Sequence, residues 1–211
     1  GFIARKAFRE DPVQNPLKTA SGKFEIHCSE LANVIDMYGW TTVAPIPQYQ
    51  PQKEGYEATF SDWEKQVKGD YPLQLITIHY ARRSHSTLDN VLWLREAFPQ
   101  ELMMNSVDAA ERGIKTGDTV KVSSQHGVVI RPALVTPRVV PGAVLLGEGA
   151  WADVDDESGI DRAGATNTLN GGNASGQGAQ PYNSCIVQVE KYHEMLAPDA
   201  QWPQRIPLKE A

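Results

Sequence analysis

Residues 75–90 of this chain have the sequence LITIHYARRSHSTLDN, an apolar run followed directly by a polar segment. The first four residues, Leu75 to Ile78, are apolar or β-branched, which favours a buried, extended strand. A group of hydrogen-bonding side chains follows directly, and we refer to residues 79–90 as the polar hook: His79, Arg82, Arg83, His85, Ser86, Thr87 and Asn90. A strand that ends in so many donors predicts a site for a large polar ligand.

Length and charge limit what this ligand can be. The chain has 211 residues, of which 41% are hydrophobic, and this is enough for a real core. Its 20 Lys and Arg residues against 26 Asp and Glu residues leave a net charge of -6, which argues against a general polyanion binder. Any anion site must therefore be local. No apolar run approaches the roughly 20 residues that a membrane span needs.

The first residues and the cysteines indicate the protein's context. The opening GFIARKAFRE lacks the apolar region of a secretory signal. A start at Gly1 rather than Met predicts that the chain was cut from something longer, so upstream domains and export signals are expected to be missing. Cys28 and Cys185 are far apart and form no CxxC motif, which excludes a cysteine cluster made by this chain alone. A disulfide between them is conceivable, but two ordinary buried thiols are the favoured interpretation.

The pattern of elements divides the chain into three parts. Residues 1–70 predict an irregular arm, with a short strand at Lys23 to Cys28, a turn of helix that starts at a serine, and a proline-rich extended stretch around Pro45 to Pro51. Residues 71–192 predict a barrel domain, and residues 193–211 a C-terminal tail.

The barrel prediction rests on closely spaced strands. Strands are expected at Leu73 to His79, within GIKTGDTVKVSS (113–124), and at residues 127–136, 139–147 and 185–192, with Val120 and Val122 facing inward. A helical turn is expected within residues 91–99. A short helix from Val107 to Arg112 should be capped by Asn105 or Ser106 and end at Gly113. Many short strands with few helices predict a mainly β fold and a small barrel.

A long loop, residues 147–184, is rich in Gly, Asn, Asp and Ser. Such loops in compact domains are usually functional or disordered. Trp151, Ile160 and Leu169 argue against disorder, because a free loop has no reason to carry them.

The sequence contains no motif for nucleophilic catalysis or for metal binding. Ser84 and Ser86 flank His85, but sequence neighbours cannot form a catalytic triad, and no GxSxG elbow is present. His79 and His85 have no strong third metal ligand nearby in the sequence, so we predict no catalytic residue and no metal ligand in this chain.

Binding of a phosphate-containing ligand remains. Arg83 can hold a phosphate with two donors, and His85, Ser86 and Thr87 add neutral donors. Asp108 could accept from a guanine edge, with Asn105 adding a mixed contact. Taken alone, Asp108 is better explained by the helix dipole and Asn105 by a helix cap.

The order of the motifs matters more than any one of them. From Ala20 to Tyr192 the chain resembles the C-terminal region of the molybdopterin oxidoreductases of the dimethyl sulfoxide reductase family. The closest likeness is to the catalytic subunit of the anaerobic dimethyl sulfoxide reductases and to their selenate reductase-like paralogues. The motifs that carry the resemblance are ASGKFEIHCSELA (20–32), LITIHYARRSHSTLDN (75–90), LMMNSVDAAERGIKTGDTVKVSSQHG (102–127), PGAVLLGEGAW (141–151), GIDRAGATNTL (159–169) and YNSCIVQVEKY (182–192).

This resemblance implies a double-psi β-barrel that closes over a bis(molybdopterin guanine dinucleotide) cofactor as the last domain of a longer enzyme. The family's pattern places Asn105 and Asp108 at the nucleotide and Asn167 and Asn183 at further polar contacts. The cofactor contacts that it implies on the first strand and the polar hook are Thr77, His79, Arg83, His85, Ser86 and Thr87.

The resemblance also implies what lies outside this chain. The molybdenum ligand and the iron–sulfur cysteines belong to upstream domains, so the chain alone should be inactive. The complete enzyme is expected to remove oxygen reductively from an S-oxide, an N-oxide or an oxyanion, and dimethyl sulfoxide, trimethylamine N-oxide and selenate all remain open. An iron–sulfur electron-transfer subunit, a membrane anchor, a twin-arginine signal and a location on the periplasmic side of the membrane are implied in the same way.

Two other classes of protein compete with this interpretation. Double-psi barrels also serve as protein-interaction modules without a cofactor, and in such a module the donors of residues 79–90 should be scattered or tied up internally. A small self-processing decarboxylase barrel needs a Gly-Ser cleavage site. Only Ser21-Gly22 comes near, with the order reversed.

Overall fold

The structure, a computed structural model, describes residues 1–41, 43–172 and 179–194. These residues form two compact units, the first containing residues 1–50 and the second starting at Pro51. The arm and tail boundaries drawn from the sequence at residues 70 and 193 stay predictions.

In the first unit, the residues that the structure describes form two helices, α1 (Lys6–Glu10) and α2 (Ser29–Tyr38). Cys28 caps α2, since its Sγ accepts from the Leu31 N–H at 3.5 Å, and Gly39 ends it with a φ of 64°. The predicted helical turn after Cys28 is therefore present. The predicted strand at Lys23 to Cys28 was wrong, because these residues are not part of any strand in the structure. An extended segment becomes a strand only by pairing with another segment, and here the apolar side chains of Phe24 and Ile26 remain exposed.

The second unit opens with a hairpin that the sequence analysis missed. A turn of 3₁₀ helix (Glu57–Thr59) leads into β1 (Phe60–Asp62), which pairs antiparallel with β2 (Val67–Lys68). These strands are too short for alternation of apolar and polar residues to mark them.

The described residues of this unit form seven further strands and three helices. In chain order they are β3 (Leu73–Ile78), α3 (Leu92–Ala97), β4 (Leu102–Met104), α4 (Ser106–Glu111), β5 (Thr119–Ser123), β6 (Val128–Val135), β7 (Ala143–Gly147), β8 (Ile160–Asp161), α5 (Thr166–Leu169) and β9 (Ile186–Lys191). The strands predicted for residues 71–192 are all present, with the ends of some shifted. None of the helices in the described ranges has the length and apolar content to cross a bilayer.

The strand pairing closes a barrel. The order β4–β7–β3–β9–β5–β6 returns to its start because β6 also pairs with β4, while β8 lies outside this ring beside β6. Two of the pairs, β3 with β7 and β4 with β6, are parallel, and the other contacts in the ring are antiparallel. The closed six-stranded barrel confirms the predicted mainly β class with few short helices.

Alternation along the strands builds the core. Val120 and Val122 are fully buried, as predicted, and Leu73 and Leu75 of β3 meet them in one cluster. Each such side chain contributes roughly 1.5–3 kcal/mol by leaving water. Around this core α4 forms as predicted, with the Asn105 Oδ1 accepting from the Val107 N–H at 2.8 Å.

Candidate functional site

A cavity of about 380 Å³ lies at the carboxyl ends of β3 and β7. Because these strands are parallel and Ile78 pairs with Gly147, the residues that follow them emerge at the same edge of the sheet. Crevices at the carboxyl ends of parallel strands are common ligand sites. The residues that line the cavity are Thr77, His79, His85, Ser86, Glu148, Gly149, Thr166, Asn167, Asn170 and Tyr182.

The polar hook places two of these residues through a tight turn. The backbones of Ser84 and Thr87 exchange hydrogen bonds of 3.3 and 3.0 Å, which leaves His85 and Ser86 at the tip. His85 has a φ of 53°, in the left-handed region that non-glycine residues rarely adopt. Strain of this kind persists only where surrounding contacts hold it.

Gly149 supplies one of these contacts. A Cβ at this position would lie 1.9 Å from the His85 carbonyl oxygen, and the φ of Gly149 is +82°. Only glycine tolerates both the close approach and the backbone conformation. The loop after β7 and the tip of the polar hook therefore touch backbone to backbone.

A buried carboxylate organises the base of the polar hook. Asp89 receives hydrogen bonds from Arg83 Nη1 at 2.7 Å, Arg82 Nη2 at 3.1 Å and Arg95 Nη2 at 3.2 Å. The Trp151 N–H also donates to it, at 2.9 Å. Three guanidinium groups against one carboxylate leave a local surplus of two positive charges, in a chain whose net charge is -6.

The charge state of Asp89 follows from these partners. Burial would by itself raise the pKa of its carboxyl group. The hydrogen bond from Trp151, together with the guanidinium groups of Arg83 and Arg95, outweighs burial and lowers the pKa below its ordinary value. Asp89 is therefore ionised at neutral pH.

Two histidines of the cavity converge on one carboxylate. His79 Nδ1 lies 2.8 Å and His85 Nδ1 3.1 Å from the same Oε1 of Glu148. The two rings are exposed and their centroids lie 5.4 Å apart. The sequence places no third ligand near these histidines, and the parallel pairing of β3 with β7 supplies one.

Asn183 supports the cavity through its contacts with Thr77. Its Oδ1 accepts from both the Thr77 N–H, at 2.9 Å, and the Thr77 Oγ1, at 3.2 Å. The Tyr182 carbonyl also accepts from the Thr77 hydroxyl, at 3.5 Å. Asn183 therefore fixes the end of β3, where the predicted contact Thr77 lines the cavity.

The long loop contributes Asn167 through a buried aspartate. Asp161 Oδ1 accepts from the Asp153 and Ala163 N–H groups, and its Oδ2 from the Ala165 N–H and the Thr168 hydroxyl, all within 3.2 Å. This places α5, and with it Asn167, at the cavity wall. The apolar residues Ile160 and Leu169 anchor the same loop, with Leu169 fully buried.

The structure brings together half of the predicted contacts, namely Thr77, His79, His85, Ser86 and Asn167. Arg83 lies elsewhere, because its buried side chain binds Asp89 and the carbonyls of Gly147 and Glu148. Thr87 is exposed and does not line the cavity. Direct cofactor contact by these two residues stays a prediction.

Asn105 and Asp108 lie away from the cavity. Asn105 Nδ2 donates to the Val139 carbonyl at 2.6 Å, and Asp108 Oδ2 accepts from the Gly142 N–H at 2.9 Å. Gly142 precedes β7, whereas the cavity lies beyond its other end. Asn105 also caps α4, as predicted, whereas its bond to Val139 and the bond from Gly142 to Asp108 were not predicted. Nucleotide contact by Asn105 and Asp108 stays a prediction.

Several cavity residues were not predicted: Glu148, Gly149, Thr166, Asn170 and Tyr182. Glu148 and Gly149 directly follow a predicted strand that ends in LLG, as the polar hook follows LITI, but the local sequence does not show that the two strands are parallel neighbours. Two adjacent parallel strands would have placed both sets of residues at one edge.

A closed barrel with a polar cavity at the carboxyl ends of two parallel strands is typical of a ligand-binding barrel. Residues 73–186 match the model of the molydopterin dinucleotide binding domain, and the chain belongs to that family. This confirms the resemblance drawn from the motifs.

Curated relatives extend the match beyond this domain. The probable dimethyl sulfoxide reductase chain YnfF of Escherichia coli (strain K12) is 40% identical over 90% of this chain and 23% of its own length. The dimethyl sulfoxide reductase DmsA of the same organism is 42% identical with the same coverage, and a trimethylamine-N-oxide reductase of Haemophilus influenzae is 36% identical over 88% of this chain and 22% of its own. The chain therefore spans about a quarter of the length of these relatives.

A solved structure shares the fold. The acetylene hydratase of Pelobacter acetylenicus superimposes with a TM-score of 0.62 at 18% sequence identity, over 86% of this chain and 25% of that one. At this identity the likeness concerns the fold alone.

Proposed function

We propose that this chain holds a molybdopterin guanine dinucleotide, in its bis form, as one domain of a molybdenum oxidoreductase. The observation that carries the proposal is the cavity at the ends of β3 and β7, where Thr77, His79, His85, Ser86 and Asn167 meet. Family membership supports the dinucleotide. The guanine form and the pair of cofactors rest on the resemblance.

The donors of the cavity fit a pterin and phosphate ligand. Ser86, Thr77 and Asn167 present neutral hydroxyl and amide groups, and the imidazoles of His79 and His85 can donate or accept. Gly149 lets the loop after β7 pack directly against the backbone of His85, which holds His85 and Ser86 at the cavity wall. A cavity of about 380 Å³ is at the small end of ligand sites, so it suits part of a dinucleotide rather than the whole.

The arginines around Asp89 act at longer range. Their surplus positive charge lies at the base of the polar hook, and it favours an anionic group nearby without exposing a cationic surface. We propose that Arg83 acts first by holding the polar hook and the β7 end together, since its guanidinium binds Asp89 and the Glu148 carbonyl.

The reaction is proposed from the relatives' names and from the resemblance. When bound, the molybdenum cofactor supplies the electron and oxygen-atom transfer chemistry. The residues of this chain bind and orient it. We propose reductive oxygen removal from an S-oxide, an N-oxide or an oxyanion, for which relatives named as dimethyl sulfoxide and trimethylamine-N-oxide reductases are the support. Selenate rests on the resemblance only.

The surroundings of the domain are proposed in the same way. None of residues 1–41 and 43–50 is buried, and Phe24, Ile26 and Tyr49 are exposed, so the first unit has apolar surface to offer to further domains. We propose that upstream domains of the same polypeptide cover it and hold the molybdenum ligand and the iron–sulfur cluster. An iron–sulfur subunit, a membrane anchor and a periplasmic location complete the proposal.

A protein-interaction module without a cofactor is the second candidate. Its supporting observation is that Arg83, Asn105 and Asp108 are tied up by internal hydrogen bonds. Against it stand the convergence of five other predicted contacts on one cavity and the family match.

The experiment that separates the two candidates measures molybdenum and released guanosine monophosphate in the complete polypeptide, purified after expression with an intact cofactor pathway. The cofactor proposal expects two nucleotides for each molybdenum. The double variant His85→Ala with Ser86→Ala should contain less molybdenum and less guanosine monophosphate than the wild type. Trp93→Ala, at an exposed position outside the cavity, is the control and should leave both unchanged. Wild-type polypeptide without either component would overturn the proposal in favour of the interaction module.

A further inference from the structure

We infer that His79, His85 and Glu148 form a binding site for a divalent transition-metal cation of the zinc class when no dinucleotide occupies the cavity. The inference goes beyond the proposed function, because it concerns a different ligand and stands on three side chains alone. Their ligand atoms all lie within 4.8 Å of one another. The set is one carboxylate with two imidazoles, a combination that recurs in open zinc sites.

The contacts within this triad are not ordinary hydrogen bonds. Glu148 Oε1 is shielded from solvent and has no hydrogen-bond partner among the described residues, although two ring nitrogens lie 2.8 and 3.1 Å away. The ring N–H directions therefore miss this oxygen. A shielded carboxylate oxygen without a hydrogen bond is costly, and a cation placed between the three groups would remove that cost.

The spacing suits a metal after small adjustments. Tetrahedral zinc with bonds of about 2.0–2.1 Å separates neighbouring ligand atoms by roughly 3.3 Å. The two histidine side chains are 84% and 75% exposed, so their rings can rotate to widen the present distances. Glu148 is less exposed and follows β7, which makes it the fixed member of the set. The cavity leaves the fourth position to water.

The chemistry of the ligands selects the cation. Imidazole suits Zn²⁺, Cu²⁺ and Ni²⁺, whereas Mg²⁺ prefers carboxylates, phosphates and water. The neighbouring positive charge works against any cation, because Arg83 Nε donates to the Glu148 carbonyl at 2.9 Å. We therefore expect micromolar rather than nanomolar affinity for Zn²⁺. Metal and dinucleotide compete, since both histidines line the cavity proposed for the cofactor.

Isothermal titration calorimetry of the 211-residue chain with Zn²⁺, in the absence of dinucleotide, tests this site. We expect one binding event that is absent with Mg²⁺. His79→Ala, His85→Ala and Glu148→Gln should each weaken it by at least about tenfold, because losing a ligand exceeds the effect of losing an outer-shell partner. The matched control is the double variant His27→Ala with His193→Ala, which removes two other histidines and should leave the affinity unchanged.

Three outcomes would overturn the inference: no binding below millimolar Zn²⁺, wild-type affinity in each of the three single variants, or loss of binding in the control variant. Circular dichroism of each variant shows whether a lost signal reflects unfolding. If Glu148→Gln does not fold, Co²⁺ added to the wild type gives a second readout. Visible absorption of low-coordinate Co²⁺ supports the site, and the spectrum of the aquo ion contradicts it. Failure of this test leaves the nucleotide test of the proposed function standing.

Discussion

The Trp151 N–H donates to Asp89 Oδ2 at 2.9 Å, while the indole N–H of the same Trp151 donates to the Ser86 carbonyl at 2.8 Å. One residue of the loop after β7 thereby holds both the base and the tip of the polar hook. Trp151 is 45% exposed, so its role is hydrogen bonding more than core packing. The cavity depends on this connection, because it joins two of the four separate segments that form the cavity walls.

Replacing Asp89 should destabilise the barrel strongly. Asp89→Asn leaves three guanidinium groups without their carboxylate, and breaking a buried ion pair costs about 3–5 kcal/mol. Urea unfolding at pH 7 measures this loss in the free energy of unfolding. Asp36→Asn, at an exposed position of α2, is the control and should change it by less than about 0.5 kcal/mol. Equal stability of the two variants would contradict the structural role of Asp89.

The same carboxylate predicts a pH dependence. The pKa of Asp89 is lower in the folded protein than in the unfolded chain, where it is about 3.9. Its contribution is therefore complete above about pH 4 and is lost as the pH falls through the lower, folded pKa. The difference in unfolding free energy between the wild type and Asp89→Asn should shrink below about pH 4. A constant difference from pH 7 to pH 3 would show that the ionisation of Asp89 does not contribute.

Gly149→Ala should displace the polar hook. The new Cβ would lie 1.9 Å from the His85 carbonyl oxygen, so the backbones must separate. Gly159→Ala is a matched control, because Gly159 also has a positive φ, +69°, but no atom near its Cβ position. NMR of the imidazole protons of His79 and His85 should shift in Gly149→Ala and stay unchanged in Gly159→Ala. Identical spectra for the two variants would contradict the backbone contact.

Much of the barrel could be predicted from local patterns. Val120 and Val122 alternate with polar neighbours, and Gly113 marks a helix end, so single elements follow from spacing and propensity. Pairing does not follow in this way. The sequence of β7 does not indicate that this strand lies parallel to β3. The strands of the hairpin, β1 and β2, are too short to show alternation of apolar and polar residues.

The site was predictable only in part for the same reason. Donors that follow one strand, such as His79, His85 and Ser86, could be read from one motif. Glu148 lies beside them because β3 pairs with β7, and such long-range pairing cannot be predicted from local sequence patterns. Arg83 shows the opposite failure, because a cation near a predicted anion site suggests direct contact, whereas burial beside Asp89 gives it a supporting role in this structure.

Asp161 should control the order of the long loop. Asp161→Asn replaces one carboxylate oxygen by an NH₂ group, which cannot accept from the N–H groups and the hydroxyl that now surround it. We expect a loss of about 2–4 kcal/mol in unfolding free energy and faster amide exchange at Ala163 and Ala165. Asp156→Asn, at an exposed position of the same loop, is the control. Unchanged exchange at Ala163 would contradict this role.

The two cysteines should differ sharply in reactivity. Burial, with a smaller effect of the Glu54 charge, raises the pKa of the Cys185 thiol to about 12. At pH 8 only about one Cys185 thiol in ten thousand would be ionised, and the thiolate is the reactive form. Cys28 is only half-buried, and neither cysteine forms a disulfide. A disulfide-exchange reagent at pH 8 should therefore label one thiol in the native chain and two in denaturant. Cys28→Ser should abolish the native labelling and Cys185→Ser should leave it unchanged, whereas rapid native labelling of the Cys28→Ser variant would show that the barrel opens around Cys185.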